Sequence, residues 1–600
     1  MKSGCRGKEK KRWFGLAMRE RLFFLDDIAI IGGSFFLTLG VCSLESAFAK
    51  SPPSLPVPPP SSVTRVVPPL PQFRVQSRAL LEKTSSLNQR VNINPETLLR
   101  PQVEPSIASQ PTNPHHLVVG FEDALNGVLA FDFAPAIARS RDGGRTWLSP
   151  KGGAILPNPP GFTWGNRSLA GYLAAGNLAV SWGLGDVLYV STLGFHDNSF
   201  PPNKDCSGGG LYVYRSEDGG ATWTLPAYGP AVPNTQTIFR DKGYIAVDAN
   251  PLSPFAGNLY MTWDDDTYSG CPQNFFQNFL RRDISFSLSS DGGATWTKPI
   301  VLASGCLIAP VPAVAVNGDI FVVWYDCNGS DVRQMVRRST NGGLSFQSAV
   351  AAASGLRPLP NPLVGSAFRV PAAFPAIATD PTSAKAVYVT WASDNGPSQA
   401  DVFVSRSLDS GVTWNSKPVR VNDDPIGNPR DQFFPWITAG VDGAVLVMWG
   451  DDRLDLANPG GKLYDIFMAE SVDHGASFGA NIRVSTSSSN PDFDGFGGTF
   501  IGDYFGLAAA GVPVWGDTRN GNLDIFAVPL LTGKPLPGDF DGDDDVDRND
   551  LNVLLVDRNK RVGSSVCGAA CDLDGDGQIT VLDGRKLVLL CTRFGCATEL

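Results

Sequence analysis

Charge is sparse in this chain, and basic charge sparser than acidic. Its 600 residues hold 49 Lys and Arg against 59 Asp and Glu, a net charge of −10 with only 18% charged residues. No basic stripe is available to neutralise phosphates, which argues against nucleic acid as a partner. Histidine is scarcer still, with four copies, so Ser–His–Asp chemistry has little to draw on. The apolar run Ile28 to Leu44 is short for a membrane span. What is plentiful is glycine, 64 copies, and proline, 47. That balance suits a loop-rich all-β protein better than a helical one.

The first 49 residues read as a signal peptide. Lys8, Lys10, Lys11, Arg12, Arg19 and Arg21 form a positive leader before the Ile28–Leu44 run, and Ala47-Phe48-Ala49 offers a small-x-small cleavage site. The expected product is secreted or extracytoplasmic, possible destinations including the cell surface, with no membrane contact after cleavage; an uncleaved anchor is the alternative. Cys5 and Cys42 leave with the leader. Eight cysteines remain in an oxidising compartment, where disulfides are the default over metal thiolates. Residues 50–88 form a linker, and nine prolines between 51 and 71 make its first part a stiff tether.

Residues 89–531 are organised by a repeat. The octets SRDGGRTW from Ser140, SEDGGATW from Ser216, SSDGGATW from Ser289, STNGGLSF from Ser339, SLDSGVTW from Ser407 and SVDHGASF from Ser471 recur every 50 to 76 residues. Before each octet lie three short strands and after it a fourth. Four strands per unit, joined radially, are a propeller blade. Opening strands from PSIAS (105–109) to FGLAA (505–509) count seven units, yet the seventh has no octet and only three strands. Arg90-Val91-Asn92 precedes unit one as Arg420-Val421-Asn422 and Arg483-Val484-Ser485 precede units six and seven. This N-terminal strand is therefore expected to close the last blade. The expectation is all-β: a single propeller of seven blades, with six as the alternative count, plus a small helical EF-hand-like domain at the C-terminus.

Within the octet, Gly supplies the tight turn, Asp or Asn bonds backbone N–H groups, and Trp or Phe packs on the blade. These residues resemble the Asp-box (BNR) repeats of sialidase-like propellers. They are fasteners between strands three and four, so a ligand is expected on the opposite face. That face takes the loops after strand two, with Glu122, Asp264, Asp265, Asp266, Asp326, Asp452, Arg453, Asp517 and Arg519. It also takes the approaches to strand one, with Arg240, Arg369, Arg430, Asp431 and Tyr504, and long loops carrying Phe195, His196, Phe275 and Phe276. Carboxylates, arginines and aromatics at one funnel suit a sugar or other surface ligand. The same residues also suit blade-bracing ion pairs and turns.

The sialidase resemblance implies three carboxylate-binding arginines, a Tyr–Glu pair and an Asp acid/base. The candidates are Arg240, Arg369 and Arg430, Tyr504 with Glu122, and Asp431. Phe368-Arg369-Val370-Pro371 is similar to the family's Phe-Arg-Ile-Pro, though it enters the fifth unit rather than the first. Seven-bladed Asp-box propellers also occur in xyloglucanases, which use a pair of Asp residues in a cleft between two propellers; this chain has one.

After a linker at 532–537, residues 538–600 carry two twelve-residue acidic loops. Asp539, Asp541, Asp543, Asp545 and Asp550 lie in the first; Asp572, Asp574, Asp576, Gln578 and Asp583 lie in the second. Oxygen ligands at positions 1, 3, 5 and 12 with an apolar residue at 8 are a Ca2+ loop pattern. Two such halves, each running into a helix, resemble a dockerin, which implies a cohesin-like protein partner. Cys567–Cys571 and Cys591–Cys596 is the simplest pairing there, the crossed pairing remaining open, and Cys206–Cys271 and Cys306–Cys327 are expected in the propeller. The expected function is glycan or cell-surface recognition by the propeller with docking by the tail. The alternatives are an active exo-sialidase or other glycoside hydrolase in polysaccharide degradation, and a protein-binding scaffold.

Overall fold

The computed structural model describes residues 88–91, 100–125, 133–160, 162–164, 172–195, 209–224, 227–230, 234–235, 237–270, 279–363, 368–371, 373–396, 399–440, 444–458, 462–529, 538, 540, 546–565, 571–591 and 596. The leader, most of the linker, His196, Phe275, Phe276, Cys206, Cys271, Cys567, Asp539, Asp541, Asp543 and Asp545 lie outside these. Among the described residues, no helix is long and apolar enough to cross a membrane.

The described strands form seven sheets, one per expected blade. Blade 1 holds Gln102–Gln110, Asn113–Ala124 and Phe133–Ser140. Blade 2 holds Tyr172–Trp182, Leu188–Phe195, Gly209–Ser216 and Ala227–Tyr228, with Thr163–Trp164 added parallel to its first strand. Blade 3 holds Ile238–Val247, Leu259–Tyr268, Phe279–Ser289 and Ile300–Gly305. Blade 4 holds Leu307–Val314, Ile320–Asp326, Val332–Ser339 and Val350–Leu356. Blade 5 holds Ala376–Asp380, Ser383–Gly396, Gln399–Ser407 and Val419–Arg420. Blade 6 holds Gln432–Ala439, Val445–Asp451, Asp465–Ser471 and Ile482–Arg483. Blade 7 holds Gly506–Leu507, Pro513–Asp517 and Asp524–Ala527, and its fourth strand is Gln89–Arg90.

One register explains the core. Trp263, Trp324, Trp391, Trp449 and Trp515 occupy the same place in the second strands of blades 3 to 7, and all are fully buried. Phe121 takes that place in blade 1. Burying aromatic rings of this size contributes substantially to the core between the sheets.

The six octets fold as one turn. In the first, the Ser140 hydroxyl donates to Asp142 at 2.7 Å and accepts from Gly144 N at 2.8 Å. Asp142 then accepts from Thr146 N at 2.9 Å and from its hydroxyl at 2.5 Å. The same bonds recur around Asp218, Asp291, Asp409 and Asp473. Asn341 replaces the carboxylate by accepting from Ser345 N at 3.0 Å and donating to its hydroxyl at 2.8 Å. Gly143 and Gly144 turn the chain at φ 70° and 89°, which side chains rarely adopt. Bonds from the Thr295 hydroxyl and N–H, then Ser289, hold Asp291 down at about 2.

A second repeated contact fastens the outer strand. Arg420 binds Asp401 at 2.7 Å and Arg483 binds Asp465 at 2.7 Å, each joining a fourth strand to a third. At the closure Arg90 binds Asp524 at 3.2 Å, and Val91 N donates to Ile525 O at 2.8 Å. The ring is thus shut by the same latch that fastens blades 5 and 6. Asn88 extends it to blade 6, donating to Val484 O at 2.8 Å.

In the C-terminal region, helix α1 (Arg548–Val556) and helix α2 (Val581–Leu590) pack around Val546, Leu554, Cys571, Ile579 and Leu587. Val546 and Ile579 are the apolar eighth positions of the two acidic loops. Cys306–Cys327 and Cys591–Cys596 are bonded, and Cys571 is also in a disulfide.

Asp524 is buried while Arg90 is part-exposed, so solvent screens some of the latch. Arg90→Ala is expected to lower stability by about 1–2 kcal/mol. Denaturant unfolding reads this directly, and an unchanged midpoint would remove the latch from the account of closure.

Candidate functional site

The first strands contact one another around the ring and so surround the axis. Their pairing with the second strands breaks at one place in five blades: between Val103 and Ser106, Gly176 and Ala179, Asp241 and Tyr244, Ile308 and Val311, and Phe433 and Trp436. Inside each break one residue is left-handed: Glu104, Asn177, Lys242, Ala309 and Phe434, with φ between 50° and 58°. A non-glycine residue there costs about 1–2 kcal/mol. Recurrence at one register means the surrounding structure compensates, and such strain clusters at functional sites.

Three of these five residues are polar and meet. Asn177 N donates to Glu122 Oε1 at 2.6 Å, and its amide donates to Asp241 at 2.5 Å. Lys242 Nζ donates to Asn177 Oδ1 at 3.0 Å and to Asp503 Oδ2 at 2.6 Å. Arg369 pairs with the other oxygen of Asp503 and lies 5.0 Å from the centre of the Phe500 ring. Glu104 and Glu122 share a hydrogen bond. Tyr504 donates to Leu178 O at 3.1 Å. Lys242 is 1% exposed and Asp503 2%.

Burial opposes charge on Lys242, but Asp503, Asp241 and Glu104 overcome it and raise its pKa well above the ordinary value. Arg369 and Lys242 likewise outweigh burial and lower Asp503. Both ions of the pair are therefore charged. Burial, then the Glu104 charge, pushes Glu122 well up, so it is the protonated member of its pair.

Tyr504, Glu122 and Arg369, named from sequence, do share this cluster. The three arginines each have a different partner: Arg369 has Asp503, Arg240 has Asp265 at 3.3 Å, and Arg430 has Asn458 O at 3.0 Å. Arg453 and Arg519 are braces. Each binds the aspartate two residues before it, Asp451 or Asp517, and stacks on a third-strand ring, Phe467 at 4.5 Å or Phe526 at 4.3 Å. Asp266 is bonded to Arg282 at 2.8 Å, Asp265 to Ser285 at 2.6 Å, and Asp326 caps Asn328 N at 2.8 Å. Burial raises Asp264 well above the carboxylate range.

A second carboxylate pair lies between blades 5 and 6. Asp431 N donates to Asp452 Oδ1 at 2.8 Å, while Asp431 Oδ1 accepts from Ala400 N at 2.8 Å. Burial pushes Asp431 up to about 7; burial, then the Asp431 charge, pushes Asp452 up to about 9. In the C-terminal region, carboxylate oxygens of Asp572, Asp574 and Asp576 all lie within 4.8 Å of one another. Asp572 also accepts from Gly575 N at 2.8 Å and Gly577 N at 2.9 Å, curling the loop into a concave acidic turn. Asp583 and Asp550 close their loops alike: Asp583 accepts from Thr580 N at 2.7 Å, Asp550 from Asp547 N at 2.8 Å.

Glu104, Asn177 and Lys242 were missed in the sequence reading. Their signal is weak: each lies within its unit's first strand, two residues before the equivalent positions Ser106, Ala179 and Tyr244.

No family model matches the chain. It is similar to xyloglucanase Xgh74A of Acetivibrio thermocellus, 24% identical over 327 residues, which are 52% of this chain and 32% of that protein. The chain thus spans about a third of that relative's length. Among solved structures it is similar to the Hadza microbial sialidase, at TM-score 0.39 and 16% identity over 58% of this chain and 63% of that one. It is also similar to the Penicillium chrysogenum α-L-arabinanase complexed with arabinobiose, at TM-score 0.36 and 12% identity over 59% and 93%.

Removing one partner of a buried pair strands the other. Lys242→Met is expected to cost about 3 kcal/mol, measured by denaturant unfolding, with Lys242→Met/Asp503→Asn recovering part of the loss. Additive losses in the double variant contradict direct pairing.

Proposed function

We propose that this chain is an exported carbohydrate-binding propeller that does not cleave its ligand, carrying a calcium-binding module that docks it to a partner. One observation carries the reading: the axial residues a sialidase-type reaction needs are already engaged with one another. Arg369 is paired with Asp503, Lys242 fills the space beside it, and Tyr504 is buried with its hydroxyl on a backbone carbonyl. A nucleophilic Tyr must be reached by substrate and lose its proton, and burial raises the Tyr504 pKa instead. The likeness to a protein named as a xyloglucanase supports a polysaccharide ligand.

Calcium suits the second acidic loop because three carboxylates already converge there and Gly575 and Gly577 give the turn its left-handed φ of 77° and 83°. Asp572, Asp574, Asp576 and Asp583, with Gln578, are the proposed ligands; Asp539, Asp541, Asp543, Asp545 and Asp550 are proposed for the first loop. Bound calcium supplies charge neutralisation that lets the loop and helix pack. Docking to a cohesin-like protein is supported by the solvent exposure of Arg548 and Asn549 in α1 and of Val581 and Leu582 in α2.

Asp431 and Asp452 favour a second reading, a glycoside hydrolase. An aspartate held at about 9 is a protonated acid at neutral pH, as general-acid catalysis requires.

On a glycan array of sialyl and β-glucan oligosaccharides, the expected outcome is binding of at least one neutral glycan, with no product released from any of them. Product release that Asp452→Asn abolishes supports the hydrolase instead. A calcium chelator is expected to lower the unfolding temperature of the C-terminal module, and Asp574→Ala to remove most of that difference. Calorimetric melting that ignores both changes leaves no calcium site in the second loop.

A further inference from the structure

The residue just after the axial break in five blades has a register equivalent in the other two. By register these are Ser106, Ala179, Tyr244, Val311, Ala376, Trp436 and Gly506. Most are small. Tyr244 and Trp436 are large aromatics with polar tips, and their rings lie 6.0 Å apart. Both line an axial pocket of ≈ 20 Å³ with Phe374, Phe434, Asp503 and Tyr504. Space of that size holds a group about as large as one water.

Tyr244 is more than nine-tenths buried, yet among the described residues neither its hydroxyl nor the Trp436 indole N–H has a hydrogen-bond partner. Neither tip is sealed away from solvent, so both donors stay open at the pocket. Two open donors lining one pocket suit a ligand group that accepts a hydrogen bond. Trp436 and Phe374 are half-buried and present apolar faces.

Charge narrows the class. Lys242 and Arg369, the cations beside Asp503, are both paired to it. An anionic sugar would meet the Asp503 carboxylate, whose two cations are already engaged with it. A cation is also disfavoured, because Lys242 Nζ already lies 5.5 Å from the centre of the Phe374 ring. A neutral sugar has hydroxyl acceptors for the two tips and an apolar C–H face for the aromatics. We infer that this pocket binds the hydroxyl-bearing end of a neutral glycan, with Tyr244 and Trp436 as donors; the inference rests on the carbohydrate-binding reading above. Burial keeps the Tyr244 phenol protonated and a donor at any working pH.

The test is calorimetric titration of the whole exported chain with a neutral xyloglucan oligosaccharide and with sialyllactose. Tyr244→Phe keeps the ring and removes only the donor; Trp436→Phe removes the donor and leaves a smaller aromatic ring, and melting curves verify that both variants retain the fold. Each variant is expected to weaken neutral-sugar binding by about 3- to 10-fold, and sialyllactose is expected not to compete. Wild-type affinity in both variants overturns the pocket while leaving carbohydrate binding intact. Competition by sialyllactose overturns the neutral class. Failure of every sugar to bind, on titration and on the array, removes the pocket and the carbohydrate reading together.

Discussion

Everything at the axis depends on the closure of the ring by Gln89–Arg90 and Val91. The Lys242–Asp503 pair joins residues 261 positions apart, and it forms because blade 7 is brought beside blade 1. Glu104 belongs to blade 1 and Asp503 to blade 7, yet the Asp503 charge, after burial, raises the Glu104 pKa. Without the N-terminal strand, blade 7 would keep an open edge beside Asp524–Ala527, the exposure that closed β architectures avoid.

The molecule divides its polar chemistry between two places. At the rim, six turns hold Asp or Asn in local bonds that need no distant partner. At the axis, left-handed residues in consecutive blades deliver Glu104, Asn177 and Lys242 to one another. The backbone strain there is offset by buried, charge-assisted bonds that neighbouring blades supply. A ring locked in this way is a rigid platform, and preorganisation favours binding because little ordering remains to be done.

Much of this was legible in the sequence. The Ser-x-Asp-x-Gly octet states its turn locally, so six copies gave the blades, and Arg90-Val91-Asn92 matched Arg420-Val421-Asn422 closely enough to give the closure. The acidic turn at Asp572, Asp574 and Asp576 was legible for the same reason, its carboxylates being neighbours in the chain. The axis was not. Lys242, followed by Gly243, looks like an ordinary surface lysine, and its role comes from Asn177 and Asp503, partners remote in sequence. The arginines left two readings open, ligand contact or brace. Arg453 and Arg519 look available for a ligand, but Phe467 and Phe526 sit beneath them and Asp451 and Asp517 hold them. Position on a face did not reveal that each side chain already had an internal partner.

The central claim is that the axis is a locked platform that receives a neutral sugar at its mouth. The most direct measurement is an experimental structure of the chain crystallised with a neutral xyloglucan oligosaccharide. The predicted result is a sugar seated against Tyr244 and Trp436 with the Lys242–Asp503–Arg369 pairing intact. A sugar bound instead by Arg240, Arg369 and Arg430, with Asp503 released, would contradict it.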